Sequence, residues 1–154
     1  MTQRLMIFAK APEPGRVKTR LQLPPESAAR LHAAFVSDIV DRHRAPDRQI
    51  TVWKAGDPEH AFWSSLDVEM AEQRDGDLGT RMAAAFDREL SSGSSVVILG
   101  TDSPNLPPGL VDEAFELLES VPVVVGPACD GGYYLLGLKD VIPSGIFDAD
   151  IEWG

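Results

Sequence analysis

A single carboxylate, Asp102, stands three residues after the end of residues 96–99, an apolar run with the composition of a short buried strand. Pro104 follows and stiffens the turn. In an open parallel α/β sheet, ligands bind in the crevice beyond the carboxyl ends of the strands. A carboxylate held there can bind Mg²⁺ or Mn²⁺ on a phosphate. Asp102 is therefore the candidate metal ligand and a candidate catalytic residue; the alternative is a solvated turn aspartate.

A second chemical stretch, residues 10–21, follows the first apolar run and carries four cations among two prolines and a glycine. Such a loop presents cationic side chains and backbone N–H groups to an anion. It matches neither the P-loop nor the dinucleotide-binding motif, and a solvated basic turn is the alternative. The predicted phosphate-binding residues are Lys10, Pro14, Gly15, Arg16, Lys18, Thr19 and Arg20. Lys18 and Arg20 are also candidate catalytic residues.

Two further stretches supply candidates for the remainder of a site. In residues 73–82, Gln73, Gly76, Asp77, Gly79 and Arg81 could face a nucleotide, although Asp77 followed by helical periodicity also fits a simple capped helix. In residues 126–137, paired glycines allow a ligand to approach the backbone closely. The candidates there for an acceptor side are Asp130, Gly131, Gly132 and Tyr133. The alternative for this stretch is a tight hairpin turn.

The elements that must position these loops alternate along the chain. Strands are predicted at residues 5–9, 49–53, 96–99 and 121–125, and helices at 26–43, 77–90 and 108–120. This alternation predicts one sheet in which the four strands are neighbours, with helices on both faces. Residues 54–72 give no clear element. His32 and His43 are predicted on a helix surface, and the lone Cys129 is predicted to be packed.

Composition narrows the function classes. The chain has 154 residues, 44% of them hydrophobic and 25% charged, and a net charge of −10. Residues 1–54 carry ten basic and five acidic side chains, whereas residues 55–154 carry four and nineteen. The net charge argues against nucleic-acid binding. No apolar run is long enough to span a membrane, no signal peptide is recognised, and a single cysteine precludes an internal disulfide. A cytoplasmic protein is predicted.

Four ordered motifs carry a resemblance to a known family: FAKAPEPGRVKTRL, GDLGTRM, VVILGTDSPNLP and GPACDGGYYLLGL. They resemble a bacterial family assigned as nucleotide-diphospho-sugar transferases of the GT-A glycosyltransferase type, most of whose members have no established function. More distantly, the sequence is similar to 2-phospho-lactate guanylyltransferase and the molybdenum-cofactor nucleotidyltransferases. The resemblance implies a three-layer, Rossmann-like α/β sandwich with a mixed, mainly parallel sheet. It spans nearly all of residues 1–154, which form one predicted domain.

The resemblance also implies roles for the motifs. Residues 10–20 would hold the phosphates of a nucleotide or nucleotide sugar, Asp102 would hold the metal, residues 76–81 would line the nucleoside side, and residues 130–133 the acceptor side. Two departures stand out. There is no strict D-x-D pair around Asp102, so a second metal ligand is not identified. The sequence also ends at residues 151–154, where the family pattern continues towards a final helix.

Two reactions fit the same parts. In glycosyl transfer, an unknown small-molecule acceptor attacks the sugar of a nucleotide sugar while the metal neutralises the departing diphosphate. In nucleotidyl transfer, a phosphorylated or acidic substrate attacks the α-phosphorus, and the basic loop holds the departing pyrophosphate. Both depend on positioning and charge stabilisation rather than on a protein nucleophile. A non-catalytic nucleotide-binding module is a third hypothesis. The oligomeric state stays open.

Overall fold

The structure is a computed structural model that describes residues 2–91 and 93–148. Its strands are β1 (Thr2–Lys10), β2 (Arg48–Ala55), β3 (Glu69–Glu72), β4 (Ser94–Leu99), β5 (Val123–Pro127) and β6 (Tyr133–Lys139). Its helices are α1 (Pro25–Arg42), α2 (Leu78–Glu89) and α3 (Pro108–Leu117), with short 3₁₀ helices at Thr19–Leu21 and Ala61–Ser65. The chain end discussed above, residues 151–154, lies outside the described residues.

The six strands form one mixed sheet in the order β3-β2-β1-β4-β6-β5. Strands β1 to β4 run parallel, and β6 runs antiparallel to both β4 and β5. The predicted α/β fold class with a mainly parallel sheet is therefore confirmed. The expectation that the strand near 121–125 neighbours the central strands is wrong, because β6 lies between β4 and β5.

The reason for that order lies in how the last two strands are buried. Residues 128–132 turn the chain back tightly, so β6 must pair with β5. Leu135, Leu136 and Leu138 of β6 are buried, whereas Val125 of β5 is half exposed. The strand with apolar residues on both faces takes the inner position, and the strand with an exposed valine forms the edge.

Alternating residues of the central strands fill two cores, one on each face of the sheet. Leu5 and Ile7 of β1 belong to a core that also contains buried residues of α1 and α3. Met6 and Phe8 point the other way, into a core with buried residues of α2. Because side chains alternate along a strand, α1 and α3 cover one face and α2 covers the other. The predicted three-layer arrangement follows from this.

Several local predictions are corrected by the packing. His32 and His43 are buried, with 5% and 1% of their surface exposed, and are not surface residues of α1. Cys129 is exposed rather than packed. The stretch at 54–72 contains β3, whose four residues pair in parallel with β2. No helix among the described residues is long and apolar enough to cross a membrane.

Candidate functional site

The four predicted site stretches meet at one edge of the sheet. Because β1 to β4 are parallel, their carboxyl ends, at Lys10, Ala55, Glu72 and Leu99, lie on the same side. The antiparallel β6 begins there too, with Leu135 opposite Leu99. Along the chain, β2 and β3 extend the sheet on one side of β1, and β4 then pairs on the other side. The β1–β4 crevice is the topological switch point, where ligands bind in such sheets.

At the switch point, two of the three candidate catalytic residues, Lys18 and Asp102, are in contact. Lys18 Nζ donates a hydrogen bond to Asp102 Oδ1 at 3.1 Å. The lysine side chain is largely buried, with 9% exposed, whereas the aspartate is 72% exposed. The ammonium also lies 4.4 Å from the centroid of the Phe35 ring in α1. Lys18 is therefore held by its buried surroundings and by Phe35, whereas Asp102 is accessible to solvent.

His32 is a further residue of this site that the sequence reasoning misplaced. Its Nε2 lies 2.8 Å from the backbone carbonyl oxygen of Lys10, and since a carbonyl only accepts, Nε2 donates. Burial is the main cause that lowers the His32 pKa, and nearby Lys18 lowers it further, against the opposing effect of the Lys10 bond. A signal was available in the sequence, because His32 lies three and four residues after the apolar Ala29 and Ala28.

The other predicted phosphate-binding side chains of the first loop point outwards. Lys10, Pro14, Gly15, Arg16, Thr19 and Arg20 are all exposed. Among the described residues, none pairs with the guanidinium of Arg16 or Arg20. Gly15 has φ +79°, in the left-handed region that glycine tolerates. The loop thus offers two unpaired guanidinium groups to solvent beside the Lys18–Asp102 pair.

The predicted nucleoside side forms a cleft of about 360 Å³ at the ends of β2 and β3. Arg81 Nη1 donates to Gln73 Oε1 at 2.7 Å, and Gln73 Nε2 donates to the Trp53 carbonyl at 2.8 Å. Both amide atoms of Gln73 are thus engaged, which fixes its orientation and that of Arg81.

The start of α2 forms the remainder of the predicted nucleoside side. Asp77 is confirmed as the N-cap of α2, because its Oδ1 accepts from the Thr80 N–H at 2.8 Å. This bond also lowers the pKa of Asp77. Gly76 has φ +122°, and a β-carbon there would meet Thr80 at 3.2 Å. Gly79 is buried at the first turn of the helix.

The predicted acceptor side is the hairpin turn between β5 and β6. Asp130 Oδ1 accepts from the Gly132 N–H at 3.3 Å, and Gly131 adopts φ +94°, so this stretch forms the hairpin turn that was the alternative prediction. Tyr133 packs on the α2 face, with its hydroxyl 3.8 Å from Met82 Sδ, and burial raises its pKa.

The neighbouring Tyr134 is not among the predicted site residues, and it lies on the other face of β6. It packs against the core that contains α1 and α3. Together with Asp102 and Leu99 it lines a small cavity at the switch point. Strand alternation, read along residues 133–138, is the signal that could have identified it.

The donor set at Asp102 permits only a sparse metal site. Among the described residues, no group of three or more His, Cys, Asp or Glu side chains could hold a metal ion. One carboxylate remains, that of Asp102, which is 72% exposed and whose Oδ1 is bonded to Lys18. Mg²⁺ commonly uses one or two carboxylates and completes its shell with substrate phosphates and water. The residues therefore fit a cation that binds together with a phosphorylated ligand.

A three-layer α/β sandwich with cations and a carboxylate at its switch point is the architecture of the nucleotide-diphospho-sugar transferase fold. The family follows from the sequence itself. The chain belongs to the family described as "Uncharacterized protein conserved in bacteria (DUF2064)", whose sequence profile matches residues 15–154. The predicted family is thereby confirmed.

Solved structures agree with the fold and the transferase class. A protein from Desulfovibrio desulfuricans G20, provisionally named a nucleotide-diphospho-sugar transferase, is 34% identical with a TM-score of 0.84, over all of this chain and 71% of that one. A CMP:2-keto-3-deoxy-manno-octonic acid synthetase in complex with CTP is 12% identical with a TM-score of 0.59, over 91% and 75%. A manganese complex of a Mycobacterium tuberculosis H37Rv protein is 16% identical with a TM-score of 0.55, over 96% and 74%. A search of curated proteins finds no significant match.

Proposed function

We propose that this chain is a transferase that binds a nucleotide sugar at the β1–β4 switch point and moves its glycosyl group to a small-molecule acceptor. Residues 1–154 would act as one such domain. The observation that carries the proposal is the contact of Lys18 with Asp102 at 3.1 Å, beside the exposed guanidinium groups of Arg16 and Arg20. The name of the Desulfovibrio relative supports the choice of glycosyl transfer.

The first loop would bind the diphosphate. Arg16 and Arg20 can each offer a planar, two-pronged donor to phosphate oxygens, and Lys18 adds a point charge. In the reaction, an acceptor hydroxyl oxygen forms a bond to the sugar carbon while the bond from that carbon to the diphosphate oxygen breaks. The cationic side chains would stabilise the charge that develops on the departing nucleoside diphosphate, and the hydroxyl proton would leave to solvent.

Asp102 would hold a divalent cation, Mg²⁺ or Mn²⁺, through its exposed carboxylate. Such an ion supplies Lewis-acid neutralisation of diphosphate charge. The manganese complex that shares this fold supports the choice of a divalent ion at the level of the fold. The chain's own contribution is to keep Asp102 at the end of a rigid, fully buried strand, β4, next to the phosphate-binding loop.

The remaining predicted residues would hold the two ends of the substrate pair. The cleft beside Gln73 and Arg81 would take the nucleoside, since Gly56, which lines it, lies against Ala11 and Glu13 of the first loop. The turn at 130–132 and Tyr133 would border the acceptor.

Nucleotidyl transfer is the second candidate, and a specific observation favours it. The synthetase in complex with CTP shares the fold of this chain. In that reaction an acidic or phosphorylated substrate would attack the α-phosphorus of a nucleoside triphosphate, and pyrophosphate would leave with the electron pair of the broken P–O bond. The first loop would then hold pyrophosphate instead of a sugar diphosphate.

A thermal-shift panel tests nucleotide binding and metal dependence together. Nucleoside triphosphates and nucleotide sugars are compared with and without Mg²⁺ or Mn²⁺, since a ligand at 100 times its Kd stabilises a fold by about 2.7 kcal/mol. Asp102→Asn should keep the fold and lose the extra stabilisation due to the metal. Asp47→Asn, an exposed aspartate at the opposite sheet edge, is the matched control and should behave as the wild type.

Product analysis separates the candidate reactions. Release of nucleoside diphosphate from a nucleotide sugar supports glycosyl transfer, and release of pyrophosphate from a triphosphate supports nucleotidyl transfer. Binding without either product supports the non-catalytic module. If Asp102→Asn retained the full metal response, the proposed role of Asp102 would be wrong.

A further inference from the structure

The ammonium of Lys18 occupies a position on Asp102 that a metal ion would also use. It lies 3.1 Å from Oδ1 and is the one cation that contacts this carboxylate among the described residues. A free divalent ion approaching Asp102 therefore meets a carboxylate that already has a partner, together with repulsion from a positive charge.

The structure holds this lysine in place more firmly than an ordinary surface lysine. Only 9% of its side chain is exposed, and the Phe35 ring supports the ammonium at 4.4 Å. The backbone of Lys18 is in the left-handed region, at φ +51°. The loop that carries it is also tied down at its start, where His32 binds the Lys10 carbonyl.

Both anchors of the loop come from one helix. His32 and Phe35 are three residues apart in α1 and so share a face of that helix. One binds the end of β1 and the other supports the last loop residue before the 3₁₀ helix. In the absence of a ligand, the Lys18–Asp102 pair is thus prearranged by α1.

We propose that Lys18 is the resident counter-cation of Asp102 and that it makes metal binding conditional on the nucleotide. This inference rests on the proposed function, since it assumes a metal–phosphate ligand at this edge. Without nucleotide, Lys18 keeps Asp102 neutralised and free metal binds poorly. When phosphates arrive, Lys18 moves its ammonium from the carboxylate to a phosphate oxygen, and Asp102 becomes available to a cation that the same phosphates bind.

The test measures Mn²⁺ binding to the protein without nucleotide, by titration calorimetry or by the decrease of the electron paramagnetic resonance signal of free Mn²⁺. Lys18→Met removes the charge and keeps an apolar stem over Phe35, and Lys18→Gln is the second variant in case the first does not fold. Either variant should bind Mn²⁺ at least about threefold more tightly than the wild type, because a competing cation and its repulsion are gone. The same variants should bind the nucleotide more weakly.

Two controls test whether the gain in Mn²⁺ affinity is specific to Lys18 and requires Asp102. Lys139→Met removes a lysine at the opposite sheet edge, which donates to the Glu119 carbonyl, and should leave Mn²⁺ affinity unchanged. Lys18→Met combined with Asp102→Asn should abolish the gain. A gain that survives the second substitution would mean that Mn²⁺ binds elsewhere, and the inference would be wrong.

Failure of this inference and failure of the proposed function give different results. If Lys18→Met and Lys18→Gln bind Mn²⁺ as weakly as the wild type or more weakly, Lys18 does not compete with metal and the inference is overturned. The proposed function is judged separately, by Mn²⁺ titration of the wild type with a saturating nucleotide. Loss of that nucleotide-dependent binding in Asp102→Asn would uphold the metal role of Asp102 even then, and release of nucleoside diphosphate from a nucleotide sugar would uphold the transfer reaction.

Discussion

Histidine 43, at the end of α1, ties the stability of the fold to pH. Its ring is buried, and neither Nδ1 nor Nε2 has a hydrogen-bond partner among the described residues. Burial, followed by the nearby charges of Arg48 and Arg42, lowers its pKa to about 4. Between pH 6.5 and pH 4, the unfolded chain, with a histidine pKa of about 6.5, therefore binds a proton that the folded chain does not bind.

The two pKa values determine both the direction and the magnitude of the change in the free energy of unfolding with pH. Above about pH 6.5, protonation of His43 costs the folded state almost nothing. As the pH falls from there towards 4, the free energy of unfolding decreases. Between pH 7 and pH 5 the loss amounts to about 2 kcal/mol for this single histidine. That range stays above the usual pKa of carboxyl groups, so acid protonation of Asp and Glu contributes little.

His43→Leu is the informative substitution. It replaces a ring with two unmade hydrogen bonds by an apolar side chain of similar size, so the free energy of unfolding at pH 7 should stay equal or rise. The backbone carbonyl of residue 43, which accepts from Arg48 Nη1 at 2.9 Å, is unaffected. Urea unfolding followed by tryptophan fluorescence at pH 7 and pH 5 should show a loss about 2 kcal/mol smaller than in the wild type.

Ile39→Val is the control, one turn earlier on the same helix. It removes a buried methylene without a titratable group, so it should cost about 1 kcal/mol at both pH values and keep the wild-type loss between them. If His43→Leu lost as much stability as the wild type between pH 7 and pH 5, His43 would not be the source of the pH dependence.

Two further predictions concern ligand binding. Arg20→Glu should weaken binding of the preferred nucleotide by about 1.5–3 kcal/mol because a charge-assisted contact is lost, and the chain should stay folded because Arg20 is exposed. Arg42→Ala, at the far end of α1, is the control in the same calorimetric titration. Equal affinity in both variants would contradict the role of Arg20. Gln73→Ala should weaken the nucleotide too, since it releases Arg81 from its 2.7 Å bond; an unchanged Kd by the same measurement would exclude this cleft as the nucleoside side.

Local patterns in the sequence determined much of this protein. The apolar runs predicted the strands around 5–9, 49–53 and 96–99, because a strand buried on both faces needs continuous apolar residues. The periodicity after Asp77 predicted α2 and its cap, because an N-cap bond joins residues only three positions apart. The candidate loops could be recognised because they follow strands whose direction the alternation with helices already implies.

Tertiary structure alone decided the features that join distant segments. Lys18 and Asp102 are 84 residues apart, and nothing local specifies that they touch. The insertion of β6 between β4 and β5 likewise depends on which elements pack together. The physical reason is that pairing and burial are settled by competition among all apolar surfaces of the chain, and no short stretch of sequence contains that competition.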